Sequence, residues 1–168
     1  LRKCPCPVLI MHDNSRWENR RVLAAINLAT TDDAHKELNE QVIEIALTFK
    51  QTYGSDVHFV NAIPETQVAK HTADDDDLLI DEPWMHKAST ISAPEVNMSL
   101  VKKFCAGIDE EHIHLEKGNA LDAILKTADA VDADLIIVGT VAREGIKGRI
   151  IGNMSEKLLD KTSCDILS

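Results

Sequence analysis

The most distinct strand signal in the chain is residues 134–139, Asp-Leu-Ile-Ile-Val-Gly. Four consecutive apolar residues between an aspartate and a glycine are typical of a strand that is buried on both faces of a parallel sheet. A basic, glycine-containing loop follows, and a helix is predicted from about Met154 to Lys161. This order of strand, loop and helix indicates one unit of an α/β domain.

The same alternation extends outward from this unit. Apolar runs bounded by turn residues predict strands at 22–26, 57–63, 112–116, 134–139 and 165–167. Apolar residues at helical spacing predict helices at about 31–54, 96–104, 119–131 and 154–161. Strands that alternate with helices pair in parallel through right-handed crossovers. We therefore expect an α/β fold over residues 21–168: a doubly wound, Rossmann-like, mainly parallel sheet of five strands with helices on both faces.

A long acidic loop interrupts this pattern over residues 64–94. It contains four consecutive aspartates, Asp74 to Asp77, followed by an apolar stretch that ends near Trp84. Four adjacent like charges are costly to bury without compensating cations. We expect the aspartates to be exposed and among the most mobile residues, with Trp84 as the better-ordered anchor.

The first twenty residues contain a repeat of the end of the chain. Residues 1–9 align without gaps on residues 159–167, and leucine, lysine, cysteine and a second leucine coincide. This predicts that residues 1–20 are the last strand of a preceding domain copy plus a linker, before the complete copy at 21–168. Because a sheet edge is normally paired or covered, we expect residues 7–11 to pair antiparallel with 165–167. The partner is then the preceding tandem copy, or a second chain in a homodimer.

Composition excludes several classes of function. The net charge of −10 argues against a surface for nucleic acid or anionic membranes, and the aromatic content of 4% argues against base stacking. No apolar run approaches the ~20 residues of a membrane span, and we see no signal peptide. Four scattered cysteines are too few for a disulfide scaffold. A cytoplasmic location is predicted.

The loop after residue 139 carries the strongest functional signal. Residues 139–168 contain five basic and four acidic side chains, a net +1 in an otherwise acidic chain. Ligands of doubly wound sheets bind beyond the carboxyl ends of the strands, where the strand order reverses. Glycine turns and helix N-termini present backbone N–H groups there, which suits a phosphate. The sequence thus predicts a small phosphate-bearing ligand.

This loop resembles the nucleotide-binding members of the universal stress protein family, which carry G-x2-G-x9-G-[S/T] after the fourth strand. Residues 118–120, 133–139 and 155–159 resemble the family as well, and the tandem arrangement is similar to its two-domain members. The resemblance implies an ATP or other adenine-nucleotide site with Asn27 near the ribose and the backbone of Ala62 and Val138 beside the base. The residues implied around the phosphates are Gly139, Ala142, Gly152, Asn153 and Ser155.

Three positions depart from the family pattern. Ala142 stands at the second glycine, Asn153 at the Ser/Thr position, and Asn27 where nucleotide-binding members carry aspartate. A Cβ at a position with positive φ costs about 1–2 kcal/mol. We therefore expect a stress-response binding or signalling domain with a degenerate adenine-nucleotide site and no catalytic residues. The alternatives are a structural or partner-interaction domain with an empty or apolar pocket and, third, a slow nucleotide hydrolase.

No metal site is predicted. His112 and His114 share one face of a predicted strand, but no third ligand has an obvious spacing. We expect His58 to be isolated. The P-loop pattern and a G-x-G-x-x-G after the first strand are both absent, which weighs against a P-loop ATPase or a dehydrogenase.

Overall fold

Six strands form one sheet in the computed structural model, which describes residues 6–12, 16–28, 33–63, 108–139 and 153–168. The strands are β1 (Leu9–Ile10), β2 (Arg21–Ala25), β3 (Asp56–Ile63), β4 (Ile113–Lys117), β5 (Leu135–Val138) and β6 (Asp165–Leu167). The helices are α1 (Asp33–Tyr53), α2 (Ala120–Ala130) and α3 (Asn153–Leu159), with a 3-10 turn at Glu110–His112.

The strand order is β1-β6-β5-β2-β3-β4, and β2 pairs in parallel with both β5 and β3. All strands from β2 to β6 are parallel, as predicted. From β2 the chain adds β3 and β4 on one side, and it then returns to add β5 and β6 on the other side of β2. The strand order therefore reverses between β2 and β5. This topological switch point defines where a ligand site is expected.

β1, which comes from the N-terminal segment, adds a sixth strand to the five predicted ones. It pairs antiparallel with β6, which confirms the predicted contact. Leu9 lies opposite Leu167, and Val8 exchanges two backbone hydrogen bonds with Ser168, at 2.7 and 3.0 Å. The pairing occurs within one chain. Leu9 and Leu167 are also equivalent positions of the sequence repeat, so the two strands pair at matching positions of the repeat.

The sheet separates two apolar clusters. On one face α1 packs over β2, β3 and β5, with Phe59 and Ala46 fully buried. On the other face α2 and α3 pack over the same strands, with Leu158 and Ile136 fully buried. This two-sided burial explains why the strands appear in the sequence as unbroken apolar runs.

Local signals set the helix ends as predicted. Gly54, at φ 66°, follows the last residue of α1, in the left-handed conformation that ends many helices. The Oδ1 atom of Asn119 accepts a hydrogen bond from the Asp122 N–H at 3.0 Å and caps α2. Most predicted boundaries differ from the observed ones by one or two residues. For example, β4 begins at Ile113, because His112 still belongs to the 3-10 turn.

Residues 16–20 pack onto the sheet and onto α1. The ring of Trp17 lies 5.6 Å from that of Phe49 and 6.4 Å from that of Tyr53. The guanidinium of Arg20 stacks on Trp17 at 4.3 Å, and its Nη1 atom donates to Oδ2 of Asp165 at 2.6 Å. This buried ion pair joins the segment before β2 to the start of β6. The domain boundary at residue 21 stays a prediction.

Several expectations fall outside the described residues. They are the acidic loop with Asp74 to Asp77 and Trp84, the helix at 96–104, and most of the glycine-containing loop, including Ala142 and Gly152. Among the described helices, none combines the length and the apolar character that a membrane span requires.

Candidate functional site

A cavity of about 500 Å³ opens at the carboxyl ends of β2, β3 and β5, at the topological switch point. Its volume is within the usual range for small-molecule sites, about 300–1,000 Å³. The residues that line it come from three strands, three helices and the turns between them: Ala25, Ile26, Asn27, His35, Leu38, Asn39, Val42, Val60, Ala62, Gly118, Asn119, Ala120, Ile124, Val138, Gly139 and Met154.

Two asparagines fix the turn after β2. The side-chain amide of Asn39 bonds both backbone groups of Asn27: its Oδ1 accepts from the Asn27 N–H at 2.9 Å, and its Nδ2 donates to the Asn27 carbonyl at 2.7 Å. Oδ1 of Asn61 accepts from the Leu28 N–H at 2.9 Å. The backbone beside the cavity is thus held in one conformation by side chains from α1 and β3.

Neither asparagine was predicted from the sequence to belong to the site. Asn39 is 7% exposed on the apolar side of α1, and Asn61 is 2% exposed inside a strand of apolar residues. An amide placed in an otherwise apolar run is the signal that could have identified both, since a buried polar group needs hydrogen-bond partners. Nδ2 of Asn61 has none among the described residues.

The N-terminal end of α2 forms another wall of the cavity through Gly118, Asn119 and Ala120. The free N–H groups and the helix dipole give such an end a partial positive charge. Among the described lining residues there is no Asp, Glu, Lys or Arg, and His35 is the only titratable side chain. The described part of the lining therefore consists of apolar walls, amide groups, one histidine and one helix end.

Gly139 ends β5 directly beneath Leu38 of α1. A Cβ atom at residue 139 would lie 2.5 Å from Cγ of Leu38, which is closer than real contacts allow. The glycine is therefore required for the close approach of α1 to the end of β5. Leu38 in turn occupies part of the space in front of Gly139.

The structure brings together four of the eight predicted site residues: Asn27, Ala62, Val138 and Gly139 all line the cavity. Asn153 is the first residue of α3. Ser155 is 1% exposed, and its Oγ lies 2.7 Å from Oγ of Ser168 at the end of β6. Ala142 and Gly152 are outside the described residues.

A second polar cluster lies at the opposite ends of the strands, where β3 and β4 begin. We call this side of the sheet the amino edge and the side that holds the cavity the carboxyl edge. Nε2 of His112 lies 2.9 Å from Oδ1 of Asp56, and Nε2 of His58 lies 3.3 Å from Oδ2 of the same carboxylate. Nδ1 of His58 is 3.2 Å from Nε2 of His114. The expectation that His58 is isolated is wrong, because the parallel register sets β3 beside β4 and brings the three imidazoles together.

The environment of this cluster shifts three pKa values. Partial burial raises the pKa of the Asp56 carboxyl, but the attraction and hydrogen bonds of His58 and His112 outweigh burial and hold it below its usual value. Burial lowers the pKa of His58 and also that of His114, which the neighbouring His58 lowers further. Both imidazoles are therefore mainly neutral at pH 7, and their ring nitrogens offer lone pairs.

Comparison with known proteins agrees with this architecture. The model of the universal stress protein family matches residues 18–167. The chain is 31% identical over 173 residues to a universal stress protein E homolog of Haemophilus influenzae, covering 99% of this chain and 53% of that protein. Universal stress protein E of Escherichia coli strain K12 is 31% identical over 171 residues, with 99% and 52% covered.

Among solved structures, a Pseudomonas aeruginosa UCBPP-PA14 protein described as a universal stress protein superposes with a TM-score of 0.74. It is 28% identical, and the match covers 97% of this chain and 51% of that one. The chain spans about half the length of the relatives that it matches. From the family match over most of its length and the shared fold, we conclude that the chain belongs to the universal stress protein family.

Proposed function

We propose that this chain is a cytoplasmic stress-response binding domain whose cavity receives an adenine nucleotide with low affinity. The observation that carries the proposal is the convergence of Asn27, Ala62, Val138 and Gly139 on one cavity at the switch point of the sheet. These residues come from three separate parts of the sequence, and the family resemblance implied each of them for the base, the ribose or the nearest phosphate.

The described walls suit the base and ribose of a nucleotide. Val60, Ala62 and Val138 present an apolar surface on which a flat base can be buried. The amide of Asn27 offers both donor and acceptor chemistry to a ribose hydroxyl. The N-terminal end of α2 adds a partial positive charge that favours an anionic ligand.

The same cavity predicts that binding is weak. Residue 27 is an asparagine, so it lacks the carboxylate with which the aspartate of nucleotide-binding members could hold a metal or a ribose. The described lining also contains no Lys or Arg. Leu38 lies against Gly139, the first glycine of the motif. Because these features all lie toward the ribose and phosphates, we expect the base to contribute most of the affinity.

The second candidate function is a structural or partner-interaction domain. The position of Leu38 over Gly139 favours this alternative, because Leu38 narrows the cavity where the phosphates of a nucleotide would lie. Slow hydrolysis of the nucleotide is the third candidate function. We propose no residue of this chain as its catalyst.

Isothermal titration with ATP tests the proposal on three proteins. The wild type should bind weakly, and Ala142→Gly/Asn153→Ser should bind roughly five- to thirty-fold more tightly, because the family motif has glycine at position 142 and an alanine Cβ at a position of positive φ costs about 1–2 kcal/mol. Ala62→Leu, which fills the cavity, should bind nothing while its circular dichroism spectrum stays native. Absence of heat from both the wild type and the double variant would overturn the proposal and leave the partner-interaction reading. Phosphate release over hours would establish the hydrolase.

We also propose that the domain is one of two tandem copies. The sequence repeat, the antiparallel contact of Leu9 with Leu167, and relatives of twice the length support this arrangement. Because the edge of β6 is already paired within the chain, light scattering should find a monomer. A stable dimer that dissociates when residues 1–11 are removed would contradict this.

A further inference from the structure

We propose that Asp56, His58 and His112 form a binding site for a divalent transition-metal ion of the Zn²⁺ class at the amino edge of the sheet. Each residue offers one ligand atom, and the three atoms lie within 4.8 Å of one another. Two imidazole nitrogens and one carboxylate oxygen are a ligand set that Zn²⁺ takes in proteins, with water at the remaining position.

The distances fit one shared ion. Ligand atoms at the usual Zn–N and Zn–O lengths in a tetrahedral site are about 3.4 Å apart. The two imidazole nitrogens lie 2.9 and 3.3 Å from the two oxygens of Asp56. Small side-chain rotations therefore suffice to place an ion among the three atoms.

A neighbour orients one of the imidazoles from behind. Nδ1 of His58 is 3.2 Å from Nε2 of His114. When His58 carries its proton on Nδ1 and donates it to His114, its Nε2 lone pair points toward Asp56 and is available to a metal. A ligating histidine normally gives its other N–H to such a partner, which fixes the tautomer and strengthens the ligand.

Without an ion the same four side chains can bond as a chain of hydrogen bonds. In that arrangement His58 and His112 both donate from Nε2 to Asp56, and His58 accepts at Nδ1 from His114. The two arrangements differ only in which ring nitrogen carries each proton. Metal binding therefore requires a change of tautomer and no loss of protons from neutral imidazoles.

The backbone holds these ligands firmly while leaving them accessible. The Asp56 N–H donates to the Arg20 carbonyl at 2.9 Å, and the His112 N–H donates to the Asp109 carbonyl at 3.0 Å. The Asp56 side chain is 52% exposed, against 13% for His58 and 22% for His112. An ion can thus enter from solvent on the side of the carboxylate.

The nearby charges allow a cation. The positive charge of Arg21 would repel a bound cation. Its Nη1 atom lies 3.1 Å from Oδ2 of Asp132, however, and this carboxylate offsets the positive charge. Oε1 of Glu111 lies 4.0 Å from Nδ1 of His112, on the ring face away from Asp56. This site is independent of the proposed nucleotide cavity, because the length of β3, roughly 20 Å, separates them.

Titration of the metal-stripped full chain with Zn²⁺ tests the site by calorimetry. We expect one high-affinity event in the wild type. Asp56→Asn and His112→Gln keep the size and hydrogen-bonding capacity of the side chains, so each should leave the fold intact while weakening Zn²⁺ binding about tenfold or more. The matched control is His12→Gln, which alters an exposed histidine next to β1 and should leave the affinity unchanged.

Co²⁺ provides a second readout that does not depend on heats. The wild type should develop visible absorption bands of a nitrogen- and oxygen-ligated ion, and His112→Gln should lose them while its circular dichroism spectrum in EDTA stays native. No Zn²⁺ binding by the wild type would overturn the proposal. Equal Zn²⁺ affinity in the wild type, Asp56→Asn and His112→Gln would overturn it as well, because the ion would then lie elsewhere.

Discussion

The two edges of the parallel sheet differ in chemistry. At the amino edge, where the strands begin, charged and titratable groups meet: Arg20 with Asp165, Arg21 with Asp132, and Asp56 with two histidines. At the carboxyl edge the described groups around the cavity are amides, glycines, apolar side chains and His35. Ionic contacts thus characterise one edge, and the described part of the other lines an open cavity without Asp, Glu, Lys or Arg.

This difference separates two roles within one fold. The ion pair of Arg20 with Asp165 is buried and joins the N-terminal segment to β6, so removal of one partner would leave a buried charge uncompensated. At the carboxyl edge the fixed backbone of Asn27 and the helix end at Asn119 shape a cavity without charging it. Substitutions at the two edges should therefore differ in how much they lower the free energy of unfolding.

The largest expected effect is at the amino edge. Arg20→Met leaves the Asp165 carboxylate buried without its ionic partner, since the two side chains are 6% and 4% exposed. We expect a loss of about 3–5 kcal/mol in the free energy of unfolding, measured by urea denaturation. Arg21→Met is the matched control, because its exposed pair with Asp132 should contribute less than about 1 kcal/mol. Equal losses in the two variants would contradict the proposed role of the buried pair.

An intermediate effect is expected at the carboxyl edge from Gly139→Ala. The added Cβ meets Leu38, and overpacking of this kind costs about 1–3 kcal/mol in unfolding free energy. In a Leu38→Ala background the same substitution should cost little, because the obstructing side chain is gone. A double-mutant cycle measures this coupling. If Gly139→Ala costs the same in both backgrounds, the steric explanation is wrong.

The smallest effect concerns the helix end that faces the cavity. Asn119→Ala removes the side-chain acceptor of the Asp122 N–H and should destabilise the fold by about 1 kcal/mol. Asn119→Ser retains a capping oxygen and should stay close to the wild type in the same denaturation assay. A serine variant as unstable as the alanine variant would show that the cap is not what this residue contributes.

Much of the fold was predictable because its strands are buried on both faces. Runs such as 135–138 are apolar at every position, and Gly54 and Asn119 mark the helix ends. The pairing of Leu9 with Leu167 followed from the repeat and from the need to cover a sheet edge. These are local or symmetric signals, which a sequence displays directly.

The polar sites were harder to predict, because they depend on register. Asp56 and His112 are 56 residues apart, and only the parallel alignment of β3 with β4 brings them within 2.9 Å. Asn39 and Asn61 likewise act on the turn after β2 from other elements. Of the proposed nucleotide site, the family resemblance implied Asn27, Ala62, Val138 and Gly139, whereas the contacts that fix the backbone of Asn27 required the structure.

We propose that the two edges of the sheet bind different ligands. Heteronuclear NMR of the isotope-labelled full chain tests it most directly, with Zn²⁺ and ATP added to separate samples because ATP chelates zinc. Zn²⁺ should shift the amide signals of Asp56, His58 and His112 and leave those of Asn27 and Gly139 in place, and ATP should do the reverse. If neither ligand shifts its own set, or if each shifts both sets alike, the division between the edges is wrong.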